Sequence, residues 1–285
     1  MTRETLRILT QYIIPHHALS RLIYWVMRIR WSFIKDPLIN WFVKKYPVDM
    51  SEAKNPMLKS YPSFNLFFTR ALKASARPMA KSRNAIVSPV DGRISEVGTI
   101  STDTIIQAKQ YDYSVQTLLG GNPALANRFH DGSFINIYLS PSDYHRIHMP
   151  ITGELESMIY VPGRLFSVSP SAVRNIPQLF TRNERVISIF KTELGCVAMV
   201  KVGALFVSSI DTVWHGPVTP RRPKTLHWWD YEPGSIRQLQ RGEEAARFNM
   251  GSTVILLFEP GKLSWQPELA PHRPIKLGEL IATAL

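Results

Sequence analysis

Met250-Gly251-Ser252-Thr253 opens the apolar run Val254-Ile255-Leu256-Leu257-Phe258. A Gly-Ser-Thr step before five apolar residues is the ordinary signature of a turn entering a buried strand. It also carries a chemical possibility. A serine hydroxyl directly after a glycine attacks that glycine's carbonyl once a base takes its proton, and Gly251, lacking a Cβ, tolerates the close approach required. Two loops offer partners. Ser88-Pro89-Val90-Asp91-Gly92-Arg93 holds a carboxylate in an Asp-Gly step, otherwise a hairpin signal. Tyr144-His145-Arg146-Ile147-His148-Met149-Pro150 holds two histidines three residues apart. Neither a third ligand at usual spacing nor a cysteine cluster accompanies them, so a metal site is not the expectation. An Asp, a His and a Ser on three separate turns are what serine activation needs: a base, a group that orients it, and a nucleophile. The G-x-S-x-G elbow of α/β hydrolases fails, because Met250 and Val254 occupy the glycine positions and a β-type run follows. Self-attack on the Gly251 carbonyl remains.

The elements that must position these residues follow from patterning. With 45% hydrophobic and 20% charged residues over 285 positions, the chain is globular rather than disordered. One cysteine, Cys196, excludes an internal disulfide, and its apolar neighbours make it a core residue. A net charge of +12 points to a polyanionic partner, nucleic acid or an anionic membrane. Leu19, Leu22, Ile23, Trp25, Val26, Ile29 and Phe33 fall on one side of a helix, with Arg21, Arg28 and Lys35 opposite, beside Tyr24 and Trp31. Arg30 lies inside the apolar arc and must snorkel. Asp36-Pro37 reads as cap and first-turn proline of a second helix over 38–45. No apolar run is long enough to span a bilayer, and Glu4 with no small-residue cleavage site argues against a signal peptide. Basic, tryptophan-rich amphipathic helices lie in the plane of a membrane surface; a helical hairpin packed on the protein with solvated arginines is the alternative. Nucleic acid is not the expected partner, since no nucleic-acid motif appears.

Residues 48–84 read as a connecting segment, with a short capped helix in Ser63-Phe64-Asn65-Leu66-Phe67-Phe68-Thr69-Arg70. From Ala85 short β-prone runs alternate with Gly, Pro and Asp: 86–87, 93–97, 104–106, 133–139, 154–160, 185–190, 196–200, 205–210 and 253–258. Ser114 is placed to cap a helix. The expected fold is α+β: a mainly antiparallel β catalytic domain over 85–285, sandwich- or barrel-like, behind an amphipathic helical membrane-association region over 1–47.

In order along the chain, Ser88-Pro89-Val90-Asp91-Gly92, the Tyr144–Pro150 loop and Met250-Gly251-Ser252-Thr253 closely resemble the phosphatidylserine decarboxylases of bacterial and mitochondrial type. Phe64–Arg70 and the Tyr160–Val168 stretch extend the resemblance over nearly the whole chain. Met250 stands where this branch usually has leucine, a volume-conserving change. The resemblance implies self-cleavage between Gly251 and Ser252, giving a β chain of residues 1–251 and an α chain of residues 252–285. His148, oriented by Asp91, takes the Ser252 proton; N-to-O acyl shift, β-elimination and hydrolysis leave a pyruvoyl group at position 252. That group is the covalent cofactor, forming a Schiff base with phosphatidylserine and accepting electrons as carbon dioxide leaves. His145 is implied on the substrate side, aiding decarboxylation or reprotonation. The expected product is phosphatidylethanolamine. The implied setting is a homodimer of processed units, peripheral on the cytoplasmic side of the inner membrane, with no metal. A serine hydrolase using Asp91, His148 and Ser252 without self-cleavage, and a non-catalytic membrane-surface adaptor, are the other classes open to the sequence.

Overall fold

The computed structural model describes residues 3–108, 111–205, 209–220, 224–235, 238–249 and 252–285. Met250, Gly251 and the middle of the expected 205–210 strand lie outside the described residues.

Thr253–Phe258 is buried at every position, so it needs a partner on both edges and cover on both faces. It pairs antiparallel with Gly195–Val202 on one side and Ser133–Tyr138 on the other. These lie in the middle of an eight-stranded sheet ordered His227–Asp230, Gly153–Val161, Arg185–Thr192, Gly195–Val202, Thr253–Phe258, Ser133–Tyr138, Gly92–Thr99 and Pro274–Ile275. All its pairings are antiparallel. A four-stranded sheet contains Arg146–His148 beside Glu244–Phe248, and a three-stranded one joins Ala85–Val87 to Leu280–Ala284 and Leu263–Trp265. The α+β, mainly antiparallel expectation holds; among the described residues the sheets are open, and none closes into a barrel. Ile94, Ile137, Val200 and Leu256 belong to one large buried cluster, each side chain contributing about 1.5–3 kcal/mol of burial.

The N-terminal helices are α1 (Arg3–Ile13), α2 (His16–Val26) and α3 (Ser32–Lys45), followed by α4 (Phe64–Phe68), whose N-cap Ser63 accepts from Leu66 N. Two expectations are corrected. The helix carrying the apolar arc ends at Val26 instead of running through Phe33, because Asn65 N donates to the Met27 carbonyl at 2.9 Å and the chain turns there. The next helix starts at Ser32 rather than after Asp36, and holds Pro37 in its interior. Asp36 does not cap it, being paired with Lys35.

In part of this region basic side chains turn inward and apolar ones outward, while Leu19, Ile23, Val26 and Ile29 of the apolar arc are half-buried. Arg28 turns inward, its Nη2 donating to Ser209 Oγ at 3.2 Å and its guanidinium over the Tyr24 ring. Lys35 is buried and also donates to the Lys59 carbonyl. Leu22, Trp25 and Phe33 are exposed, Trp25 at 71% and Phe33 at 75%. Inward, Ile39 and Phe42 of α3 meet Tyr61, Phe64, Phe67 and Phe68 in a second buried cluster, with Phe42 edge-on to Phe64 at 5.2 Å. Among the described residues no helix is long and apolar enough to cross a membrane.

Candidate active site

Ser252 leads into the central strand. Its carbonyl accepts from Leu139 N at 2.9 Å, and the next residue, Thr253, is in register with Tyr138. A second tie lies farther along: Phe248 N donates to the His145 carbonyl at 3.0 Å. Segments 139–145 and 248–252 are therefore tied at both ends, which brings the His145 loop and Ser252 into one buried neighbourhood. Ser252 is fully buried, and its Oγ has no hydrogen-bond partner among the described residues. A buried hydroxyl is normally satisfied, and leaving one bare carries a cost.

His145 is equally buried. Its Nδ1 donates to the Asp143 carbonyl at 2.8 Å, which leaves Nε2 as the acceptor, and that atom also has no partner. The Phe68 ring lies against the imidazole, centroids 4.2 Å apart. Burial, helped by the Arg70 charge, pushes His145 down to about 3, so the ring is neutral at physiological pH. Arg70 is itself buried, with Nε and Nη1 unsatisfied.

His148 lies on the Arg146–His148 strand with a different set of partners. Its Nδ1 donates to the Gly242 carbonyl at 2.8 Å, and its Nε2 meets the Tyr144 hydroxyl at 3.1 Å. Burial lowers its pKa, opposed by the Gly242 hydrogen bond and the Glu244 and Asp91 charges. Asp91 and His148 come from adjacent segments: His148 N donates to the Pro89 carbonyl, and Val87 N to that of Pro150. The two side chains are not joined by a hydrogen bond, however. The Asp91 carboxylate accepts from Arg77 Nε at 2.8 Å and from Leu277 N at 2.9 Å, and Arg77 also binds Glu52. Asp91-Gly92 is no hairpin turn either. Gly92 starts a strand of the main sheet, and a Cβ there would stand 2.3 Å from the Tyr138 carbonyl, so only glycine allows this approach.

A cavity of about 430 Å³ lies between the helices and the edge of this neighbourhood. Its walls include Trp41 and Phe42 of α3, Phe68, Tyr138 and Leu139. Two of its lining residues contact the site, Phe68 touching His145 and Leu139 N bonding the Ser252 carbonyl, while Ser252 and His145 themselves do not line it.

Sequence comparison decides the family. A model described as phosphatidylserine decarboxylase matches residues 64–283, and a second, described as PSD, matches residues 6–47. The chain is 48% identical to phosphatidylserine decarboxylase proenzymes of Pseudomonas fluorescens and Ectopseudomonas mendocina, covering 99% of both chains in each case. One from Pseudomonas aeruginosa is also 48% identical, over 98% of this chain and 97% of its own. The chain belongs to the phosphatidylserine decarboxylase family. It is an enzyme of this decarboxylase family, and the resemblance read from three short motifs extends over its full length.

Within the family fold, several residues beside the site escape motif reading. Arg77, which holds Asp91, has no pattern around it. Arg70 and Tyr144 stand inside the motifs but were not distinguishable there from a helix end and a loop aromatic. Asn249 is detectable only through its tertiary bonds, to Ser209 and to Asn65 of α4.

Proposed function

We propose that the chain is a self-processing, pyruvoyl-dependent decarboxylase that converts phosphatidylserine to phosphatidylethanolamine and carbon dioxide. The observation that carries this reading is the bare, fully buried Ser252 Oγ at the start of the central strand. A structural serine in that position would find a partner; a precursor serine needs a lone pair free to attack. Ser252 Oγ adds to the Gly251 carbonyl and displaces the Ser252 nitrogen, giving an ester. Elimination across the Ser252 Cα–Cβ bond releases the new carboxyl terminus of the 1–251 chain, and hydrolysis releases ammonia. The pyruvoyl carbonyl left at 252 supplies an electron sink for loss of carbon dioxide.

The two histidines divide the proton work by their electrostatics. A base works best with a pKa near the working pH. His145, depressed to about 3, is a poor one for serine. His148 is also lowered by burial, but Gly242, Glu244 and Asp91 oppose that shift, and it is the residue to take the Ser252 proton, releasing Tyr144 as it does so. Asp91, clamped by Arg77, acts on His148 through its charge. His145 presents Nε2 to the substrate amine, and the apolar Phe68 face beside it keeps the leaving carboxylate poorly solvated. Arg70, with two unsatisfied N–H groups, is placed to receive an anionic headgroup oxygen. Helices α1–α3 seat the enzyme peripherally on the cytoplasmic face of the inner membrane, and processed units pair as a homodimer.

Mass spectrometry of purified protein tests this. The expected fragment starts at position 252 and is lighter than the plain hydrolysis product by one ammonia. A free serine at that terminus, or only full-length chain, counts against the pyruvoyl reading. A serine hydrolase would keep the chain whole and be blocked by a serine-directed phosphonate.

A further inference from the structure

An imidazole that activates a serine works with one nitrogen free to take the proton and the other held as N–H by a fixed acceptor. The family resemblance gives the acceptor's place to Asp91, but that carboxylate is engaged elsewhere. It accepts from Arg77 Nε and Nη2 and from Leu277 N, in a pair whose side chains are only 7% and 9% exposed. The acceptor that His148 does meet is the Gly242 carbonyl, 2.8 Å from Nδ1. A carbonyl only accepts, so Nδ1 carries the proton. Nε2 then holds the lone pair and accepts from the Tyr144 hydroxyl at 3.1 Å. This is the tautomer that a base for serine requires.

The Gly242 carbonyl is also firmly held. Gly242 sits at φ 84° in the turn 240–243, which Glu243 N closes by donating to the Gln240 carbonyl at 2.9 Å; a left-handed turn position favours glycine. Gly242 N donates to the Met149 carbonyl at 2.9 Å, and Met149 N to that of Glu243 at 2.8 Å. The turn is therefore stitched to the residue that follows His148. Met79 backs it, since a Cβ on Gly242 would stand 3.1 Å from the Met79 sulfur. Next to it, the Arg241 guanidinium donates to the carbonyls of Ala80, Ser82 and Ala85.

We infer that the Gly242 carbonyl, not the Asp91 carboxylate, is the group that orients His148 for self-cleavage. Gly242 is thereby a positioning residue, acting on Ser252 through the imidazole. Asp91 keeps two other tasks: it supplies charge, and it anchors Leu277 of the 252–285 segment to Arg77 of the 1–251 segment. Among the charged groups that face His148, Glu244 and Asp91 favour its protonated form and Arg146 opposes it. The inference rests on the self-processing reading of Ser252.

The test times self-cleavage of the full chain on denaturing gels between about pH 5 and 9, with a thermal melt to confirm that each variant folds. In Asp91→Asn the side-chain oxygen still accepts from Leu277 N and Arg77, and Gly242 still holds the imidazole. Cleavage should slow about tenfold and its pH midpoint should move down, because a charge that supports the base is lost. The mass of the 1–251 fragment checks that the new amide before Gly92 has not deamidated. Were Asp91 the orienting group, the same change would cost about 10⁴-fold by releasing the wrong tautomer, and a loss of that size in a folded variant overturns the inference. Gly242→Ala pushes the turn out of its left-handed conformation and against Met79, moving the carbonyl, and should slow cleavage at least about a hundredfold. A Gly242→Ala chain that cuts as the wild type does also overturns it. If Gly242→Ala does not fold, Asp91→Asn decides alone. A wild type that stays uncut at every pH is a separate failure: it overturns the self-processing reading and this inference with it.

Discussion

The central sheet and the N-terminal helices solve opposite problems with the same residue types. In the sheet, Val254, Leu256 and Phe258 are fully buried, and burial both holds the strand and places Ser252 at its entrance. In α1–α3, Leu22, Trp25 and Phe33 stand in solvent while Arg28 and Lys35 turn toward the protein. A helix that only packs on its own protein maximises stability by doing the reverse at those positions. Part of that burial is given up, while Ile39 and Phe42 keep theirs, and on the proposed reading the exposed side chains are the ones that would meet a membrane surface. Between them, α4 joins the two, with Phe64 and Phe67 in the helical cluster and Phe68 against His145.

The sharpest break of this comparison lies inside the sheet's own site. His148→Ala should leave the chain essentially uncut on a denaturing gel, because the serine loses its base. His145→Ala should still process at least partly, yet release little labelled carbon dioxide from phosphatidylserine. If His145→Ala stayed uncut while His148→Ala processed normally, the two roles would be exchanged. Next in size, Leu256→Ala should cost about 3 kcal/mol in a urea titration, since the site has no room to collapse. A loss well under 1 kcal/mol would mean that the central strand is not the stable half of the molecule.

A smaller effect is a slope. The folded-state pKa of His145 lies far below its ordinary 6.5, so the unfolded chain takes the proton first. Its contribution to stability is complete above pH 6.5 and is lost as pH falls toward about 3, by about 1.4 kcal/mol per pH unit. Comparing wild type with His145→Phe between pH 6.5 and 5 isolates that slope from the carboxylates. Equal slopes would mean that His145 is not buried as described.

Much of this was legible in the sequence where the controlling contact is local. Ser63 and Ser114 cap the short helices they precede, and the continuous apolar run after Thr253 forecasts a strand buried on both faces. Gly92, Asp91, His145, His148 and Ser252 stand out by type and spacing. What was not legible depends on distant partners. Helical periodicity shows which residues share a face but not which face turns inward; the Arg28 partner, Ser209, lies 181 positions away. The same holds for Arg77, whose claim on Asp91 displaces the hydrogen bond expected from His148. The strands Arg146–His148 and Glu244–Phe248 carry charged residues and no apolar alternation to mark them.

The smallest expected change in stability is the most informative about the helices. Trp25→Glu and Phe33→Glu replace side chains that are already in water, so each should alter folding stability by no more than about 0.5 kcal/mol. Binding to vesicles containing anionic lipid should nevertheless fall severalfold in a flotation assay, because the apolar area that would enter the interface is replaced by a charge that repels it. The salt dependence sharpens the point. Arg28 and Lys35 are engaged inside the protein, and of the basic residues near α2 it is Arg21 and Arg30 that remain exposed. Added salt should therefore weaken binding less than the Trp25 change does. If the glutamate variants instead unfolded the protein while leaving flotation untouched, the helices would be part of the packed body, and the contrast with the sheet would collapse.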